Sequence, residues 1–194
     1  RPAFGPWQWR NRWGWVIAPA PKVRHFPPLA MYHFFDNAKR YPTDEALAAI
    51  AASGCDVLII HENWRSDPQN GGQPYDPVRF REVVDYAHQH GMRVMLYIRG
   101  NEPSIIDEDA DWFEHLLKRN YDGLYMDFGG PFHFLVPPNE NFQGGCLEFR
   151  KHYIEVRRRR AAIGPDGLFF SHTGPMYSAL GMTGGNIDGY VSGE

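Results

Sequence analysis

The sequence predicts an α/β fold built on a parallel sheet, and three observations lead there. Short apolar runs bounded by turn residues alternate with segments of helical period. Three runs share one plan, an Asp near the start and polar residues after the end: Gly54-Cys-Asp-Val-Leu-Ile-Ile-His-Glu-Asn-Trp64, Tyr121-Asp-Gly-Leu-Tyr-Met-Asp-Phe-Gly-Gly130 and Asn186-Ile-Asp-Gly-Tyr-Val-Ser-Gly-Glu194. Every connection between strands is long enough to cross over, as parallel neighbours require. Polar residues follow every strand rather than one switch point, so a (β/α)8 TIM-type barrel with about six of its eight βα units present fits better than an open sheet.

Residues 1–28 stand apart. They carry Trp7, Trp9, Trp13 and Trp15, then Pro19, Pro21, Pro27 and Pro28, with no helical period. The alternating Trp suit strand pieces and the prolines suit an extended lead, so this is read as the tail of an amino-terminal β domain and a linker. The Trp row is expected to pack against that domain rather than to serve as a sugar platform. Residues 29–194 are then the partial barrel, expected to be the catalytic domain. An opening Arg1 and an end on a strand suggest a piece of a longer protein.

The first strand is expected over Leu29 to Phe35, with His33 and Asp36 at its end. Thr43 caps the next helix, and Asp44 and Glu45 occupy the first turn where the helix dipole favours acids. Asp56 to Ile60 is continuous and apolar, as a parallel strand buried on both faces must be, and it releases His61, Glu62 and Trp64. After a polar loop, Asp76-Pro77 opens a helix with Pro in its first turn; Val78, Val83, Val84 and Ala87 form the expected inner face. The third strand, Arg93 to Ile98, is followed by Arg99. Trp112, Phe113, Leu116 and Leu117 share a helical stripe before the fourth strand, which delivers Asp127. The long Gly- and Pro-rich connection from Phe128 to Cys146 has the character of a lid or binding loop. A helix to Ile163, closed by Gly164-Pro165, leads to a fifth strand over Leu168 to Phe170 that presents Ser171, His172 and Thr173. The sixth strand spans Gly189 to Ser192.

Composition narrows the function classes. A net charge of -3 in 194 residues supplies no electrostatic reason for a nucleic-acid partner. The one basic run, Arg157 to Arg160, reads as a solvated outer helix face. No apolar run approaches the roughly 20 residues of a membrane span, so no membrane partner is expected. Cys55 and Cys146 fall at opposite ends of the barrel and read as separate thiols; redox compartment stays undecided, and a secreted or periplasmic location is compatible with them. No Gly-x-Gly-x-x-Gly follows the first strand and no Walker sequence is present, so the expected chemistry uses no cofactor. Aromatic content of 15% with six Trp is compatible with both sugar binding and a large core.

In parallel barrels the carboxyl ends of the strands carry the ligand site, and that rule selects the candidates. Strand alternation puts Tyr125 with Asp127 on one face, and Tyr190, Ser192 and Glu194 on another. If both faces point inward, two carboxylates meet over the mouth. Two carboxylates are what glycoside hydrolysis needs, one to attack or activate water and one to protonate the departing oxygen. His61, Glu62, Trp64, Arg99, Tyr125 and His172 are the expected substrate contacts or orienters around an oligosaccharide or glycoside. Asp56, Asp122 and Asp188, at the opposite strand ends, are expected to be structural.

With an apolar fourth strand ending in Leu-Tyr-Met-Asp127, a carboxylate in Tyr-Val-Ser-Gly-Glu194 near the end of strand six and a β-type lead-in, the chain resembles the α-galactosidase (melibiase) and α-glucosidase group of retaining barrel hydrolases. That resemblance, over about residues 29 to 194, implies cleavage of α-linked sugars, with Asp127 as nucleophile and Glu194 as acid/base. The chain departs from it where melibiases commonly carry Lys two residues before the nucleophile; Tyr125 stands there. Their acid/base is usually Asp.

Two other functions fit the ligand types. One is a metal-dependent barrel hydrolase using His33, His61, Glu62, Asp127 and His172, although the first strand lacks the paired His-x-His of amidohydrolase barrels. The other is a barrel that holds a glycan without turning it over.

Overall fold

The computed structural model describes residues 28–66, 74–99, 121–127, 154, 156–161, 163–172 and 186–191. The Trp row, the helix expected over 111–120, the loop 128–146, Cys146 and Glu194 lie outside the described residues.

Six strands form one parallel sheet in sequence order: β1 (Met31–Phe34), β2 (Val57–Ile60), β3 (Arg93–Arg99), β4 (Gly123–Asp127), β5 (Leu168–His172) and β6 (Gly189–Val191). Helix α1 (Asp44–Ala52) crosses from β1 to β2, and α2 (Pro77–Gln89) crosses from β2 to β3. Each strand therefore sits beside its successor, the topology of a βα repeat. Among the described residues no strand bridges β6 to β1, and the open parallel sheet is consistent with part of a barrel.

Local chemistry sets the helix ends. The Thr43 hydroxyl accepts from Ala46 N at 3.3 Å to start α1. Asp76 Oδ1 accepts from Val78 N and Arg79 N, both at 3.0 Å, to start α2. Gly54 and Gly91, at φ of 78° and 75°, end the two helices in the left-handed conformation that glycine adopts without strain. Along α2 the buried positions are Phe80, Val83, Val84 and Ala87, spaced i, i+3, i+4, i+7. Val78 is exposed instead of facing inward, because it lies off that stripe in the first turn.

The repeated Asp near each strand start is a register device. Asp56 Oδ2 accepts from Ala30 N at 2.7 Å, Asp122 Oδ2 from Val94 N at 2.7 Å, and Asp188 Oδ2 from Phe169 N at 2.9 Å. Each carboxylate binds a backbone N–H at the start of the preceding strand, holding the pair against slippage. Asp122 also meets His88 Nε2 at 2.8 Å. The three are structural.

Strand alternation divides the core in two. On the helix side, Leu58, Ile60, Leu96, Ile98, Leu124, Met126 and Phe169 pack with α1 and α2. On the other side, the inner face, lie Val57, Ile59, Met95, Tyr97, Tyr125, Leu168 and Phe170. Gly189 makes room there, since a Cβ would stand 2.4 Å from the Phe170 ring.

Two sequence expectations change. Trp64, expected as a substrate contact, is 0% exposed in the helix-side core, with its indole N–H donating to Tyr97 O at 2.9 Å, so it braces β3. The reason is local: the short 3₁₀ turn Glu62–Trp64 swings the chain off the strand. The basic run is only partly a solvated face. Arg157 and Arg158 are exposed, but Arg159 is fully buried and Arg160 is drawn into the sheet by three hydrogen bonds.

Tyr41 ties the connection after β1 to the one after β2. Its hydroxyl donates to Trp64 O and accepts from Asp76 N at 3.4 Å. Burial pushes the phenol up from 10.0 to about 12. Unfolded chains thus release this proton first, so its stabilising contribution is whole below pH 10 and is lost as pH rises toward 12. Urea unfolding of Tyr41→Phe at a series of pH values across that window is expected to show a shallower alkaline loss of stability than the parent. Parallel curves would refute this.

Candidate active site

Asp127 ends β4 on the inner face, and the neighbouring strand ends converge on it. Tyr97 of β3 donates its hydroxyl to Asp127 Oδ2 at 2.5 Å. His172, the last residue of β5, meets Asp127 Oδ1 at 2.9 Å through Nδ1. An ionised carboxylate accepts only, so Nδ1 carries the hydrogen and the tautomer is set by the acid. Both oxygens are thereby held and the carboxylate cannot swing. Its side chain is 19% exposed, enough for contact with a ligand from the mouth.

The register explains the convergence. Tyr97 pairs with Tyr125 and Arg99 with Asp127 across β3 and β4. Tyr97 therefore sits one inward-facing layer below Asp127 on the adjacent strand, and a phenol is long enough to reach up one layer. Arg99 is placed beside Asp127 by backbone register; its side chain lies outside the described residues.

Below the acid is a floor of rings. His61 stacks on Tyr97 with centroids 4.2 Å apart and planes at 28°. His33 stacks on His61 at 5.1 Å and meets Tyr125 at 5.3 Å. Tyr125, expected as a substrate contact, is 2% exposed and lies within this floor, supporting the mouth rather than facing it. Glu62 opens the 3₁₀ turn after β2, at the same end of the sheet.

Thus Asp127, His172 and His61 come together with Tyr97, which sequence reasoning missed. The signal was available, since Tyr97 stands two residues before Arg99 and shares its face. Trp64 leaves the site altogether.

Glu194 lies outside the described residues. On β6 the inward positions are Gly189 and Val191, because Gly189 pairs with Phe170 and Val191 packs on the inner cluster. Tyr190 pairs with Ser171, one residue out of phase with that face.

Among the described residues no group of three His, Cys, Asp or Glu could hold a metal ion. No described helix is long and apolar enough to cross a membrane.

No protein-family model matches the sequence, and no curated protein matches it. Solved structures do match the fold. A chitinase from Rhizomucor miehei superposes with a TM-score of 0.55 at 11% identity, over 84% of this chain and 55% of that one. A chitinase from Bacteroides thetaiotaomicron gives 0.56 at 13%, over 84% and 52%. The isomalto-dextranase of Arthrobacter globiformis T6, complexed with panose, gives 0.53 at 9%, over 84% and 38%. The chain spans about half the length of the two chitinases. The likeness is one of fold: the sheet is part of the α/β architecture that these proteins share, and it does not single out the α-galactosidase group.

Proposed function

We propose that the protein is a glycoside hydrolase in which Asp127 is the nucleophile. The observation that supports this most is the grip on Asp127, whose two oxygens are held by Tyr97 and His172 at the carboxyl end of a parallel strand. A nucleophilic carboxylate must be ionised and aimed, and two donors do both. In this reading Asp127 attacks the anomeric carbon, the sugar is carried as an ester on Asp127, and water then releases it. The second acid protonates the departing oxygen and later takes a proton from that water. Melibiase-like sequence around Asp127 favours an α-linked substrate, retention, and Glu194 as the second acid. Among the described residues, Glu62 is another acid at this end of the sheet.

The test is hydrolysis of a panel of α- and β-linked aryl glycosides, with the anomer of the first product read by NMR. Turnover of α-linked members with retention is expected. Tyr97→Phe keeps the stacked ring and removes the donor; a hydrogen bond to a charged acceptor is worth about 1.5–3 kcal/mol, so kcat is expected to fall roughly 10- to 100-fold with a smaller change in KM. Binding of sugars without cleavage anywhere on the panel would replace this reading with that of a carbohydrate-binding barrel.

A further inference from the structure

Phe35 is the residue directly after β1, in phase with His33 on the inner face. His61 is the residue directly after β2, and the pair Phe34 and Ile60 is the last in register between these strands. His61 N donates to Phe34 O at 3.1 Å, so the two strand ends leave the sheet side by side. Their rings touch: centroids are 4.3 Å apart with planes at 56°. His61 in turn stacks on Tyr97 at 4.2 Å, and Tyr97 bonds Asp127. A continuous path of rings runs from the rim to the carboxylate.

The outer end of that path is open. Phe35 is 56% exposed, a large apolar ring in water at the edge of a site whose other rings are partly or fully buried. Single exposed aromatics are ordinary on protein surfaces, but this one is continuous with the only acid held by two side chains at the mouth among the described residues. The C–H face of a pyranose packs on such a ring while its hydroxyls stay in water, a match of one apolar and one wet side.

We propose that Phe35, backed by His61, forms an outer sugar-binding position that receives a pyranose at least one unit away from the bond being cleaved. The substrate class is then an oligosaccharide rather than a simple glycoside. The proposal rests on the glycosidase reading above.

The experiment compares Phe35→Ala with the parent on an aryl monoglycoside and on oligosaccharides of two to four units in the same linkage. The preference for the longer substrates, as a ratio of kcat/KM values, is expected to fall about three- to tenfold, and Phe35→Trp to keep it. In parallel, calorimetry of the tetrasaccharide on Asp127→Asn, with and without Phe35→Ala, is expected to show the same loss in affinity. An unaltered ratio together with unaltered affinity overturns the outer position while leaving the glycosidase reading in place. Absence of hydrolysis by the parent on every member of the panel would instead sink the glycosidase reading. The calorimetric comparison would then decide on Phe35 alone, weakened binding supporting the position and unchanged binding refuting it.

Discussion

Asp127→Asn is expected to lower hydrolysis by at least about a thousandfold while the protein stays folded. The side chains are nearly the same size, so the packing around β4 is kept. The chemistry is not. An amide oxygen is a poor nucleophile towards an anomeric carbon, and the amide presents an NH2 group to one of the two donors that now hold the carboxylate. Tyr97 and His172 both point hydrogens at this side chain, so one of those bonds is lost or reversed in the variant. Thermal unfolding should move by only a few degrees, since these contacts are at a partly exposed mouth. Asp127→Ala adds a more specific readout. With the carboxylate gone, azide can enter the vacated space and attack the activated glycoside, giving a glycosyl azide of inverted configuration. Recovery of turnover by azide, with that product, would establish attack at this position. Undiminished activity of Asp127→Asn would remove Asp127 from the mechanism.

Arg160→Ala is expected to destabilise the fold by about 1.5–3 kcal/mol, because it strips the cation from a part-buried, charge-assisted pair. The Arg160 guanidinium donates through Nε to Asn186 O at 2.7 Å, through Nη1 to Gly167 O at 2.9 Å and through Nη2 to Asp188 Oδ2 at 2.5 Å. The Asp188 side chain is 6% exposed and its Oδ2 also receives Phe169 N. Truncation leaves that carboxylate enclosed without its counter-charge and two carbonyls without this donor. Denaturant unfolding measures the loss. Adding Asp188→Asn to Arg160→Ala should recover part of it, since a neutral amide tolerates burial better than an anion deprived of this guanidinium. A change below about 0.5 kcal/mol for Arg160→Ala would show that the pair carries no weight in the folded state. Because the pair ties the helical segment before β5 to the start of β6, and β5 carries His172, activity should fall with stability.

The strands were legible from sequence because burial on both faces forces continuous apolar runs such as Val57–Ile60, and little else satisfies that pattern. Their ends were legible because turn glycines and capping side chains act within a few residues. Asp127 could be placed at a carboxyl strand end for the same reason. Its partners could not all be found this way, because Tyr97 reaches it from an adjacent strand and that contact depends on the register between β3 and β4. Trp64 and the arginine run failed similarly. A three-residue turn moved Trp64 to the helix side, and Arg160 found an anion 28 residues further along the chain.

Local pattern alone established the order of elements, the parallel sheet and one acid at the strand ends, since all of these follow from short-range periodicity and capping. Tertiary structure alone decided which face of each strand turned inward, as β6 demonstrates: Gly189 and Val191 face the inner cluster because their register partner strand presents Phe170 and His172 there. Alternation makes two phases equally regular along a single strand. Only packing against a neighbour chooses between them.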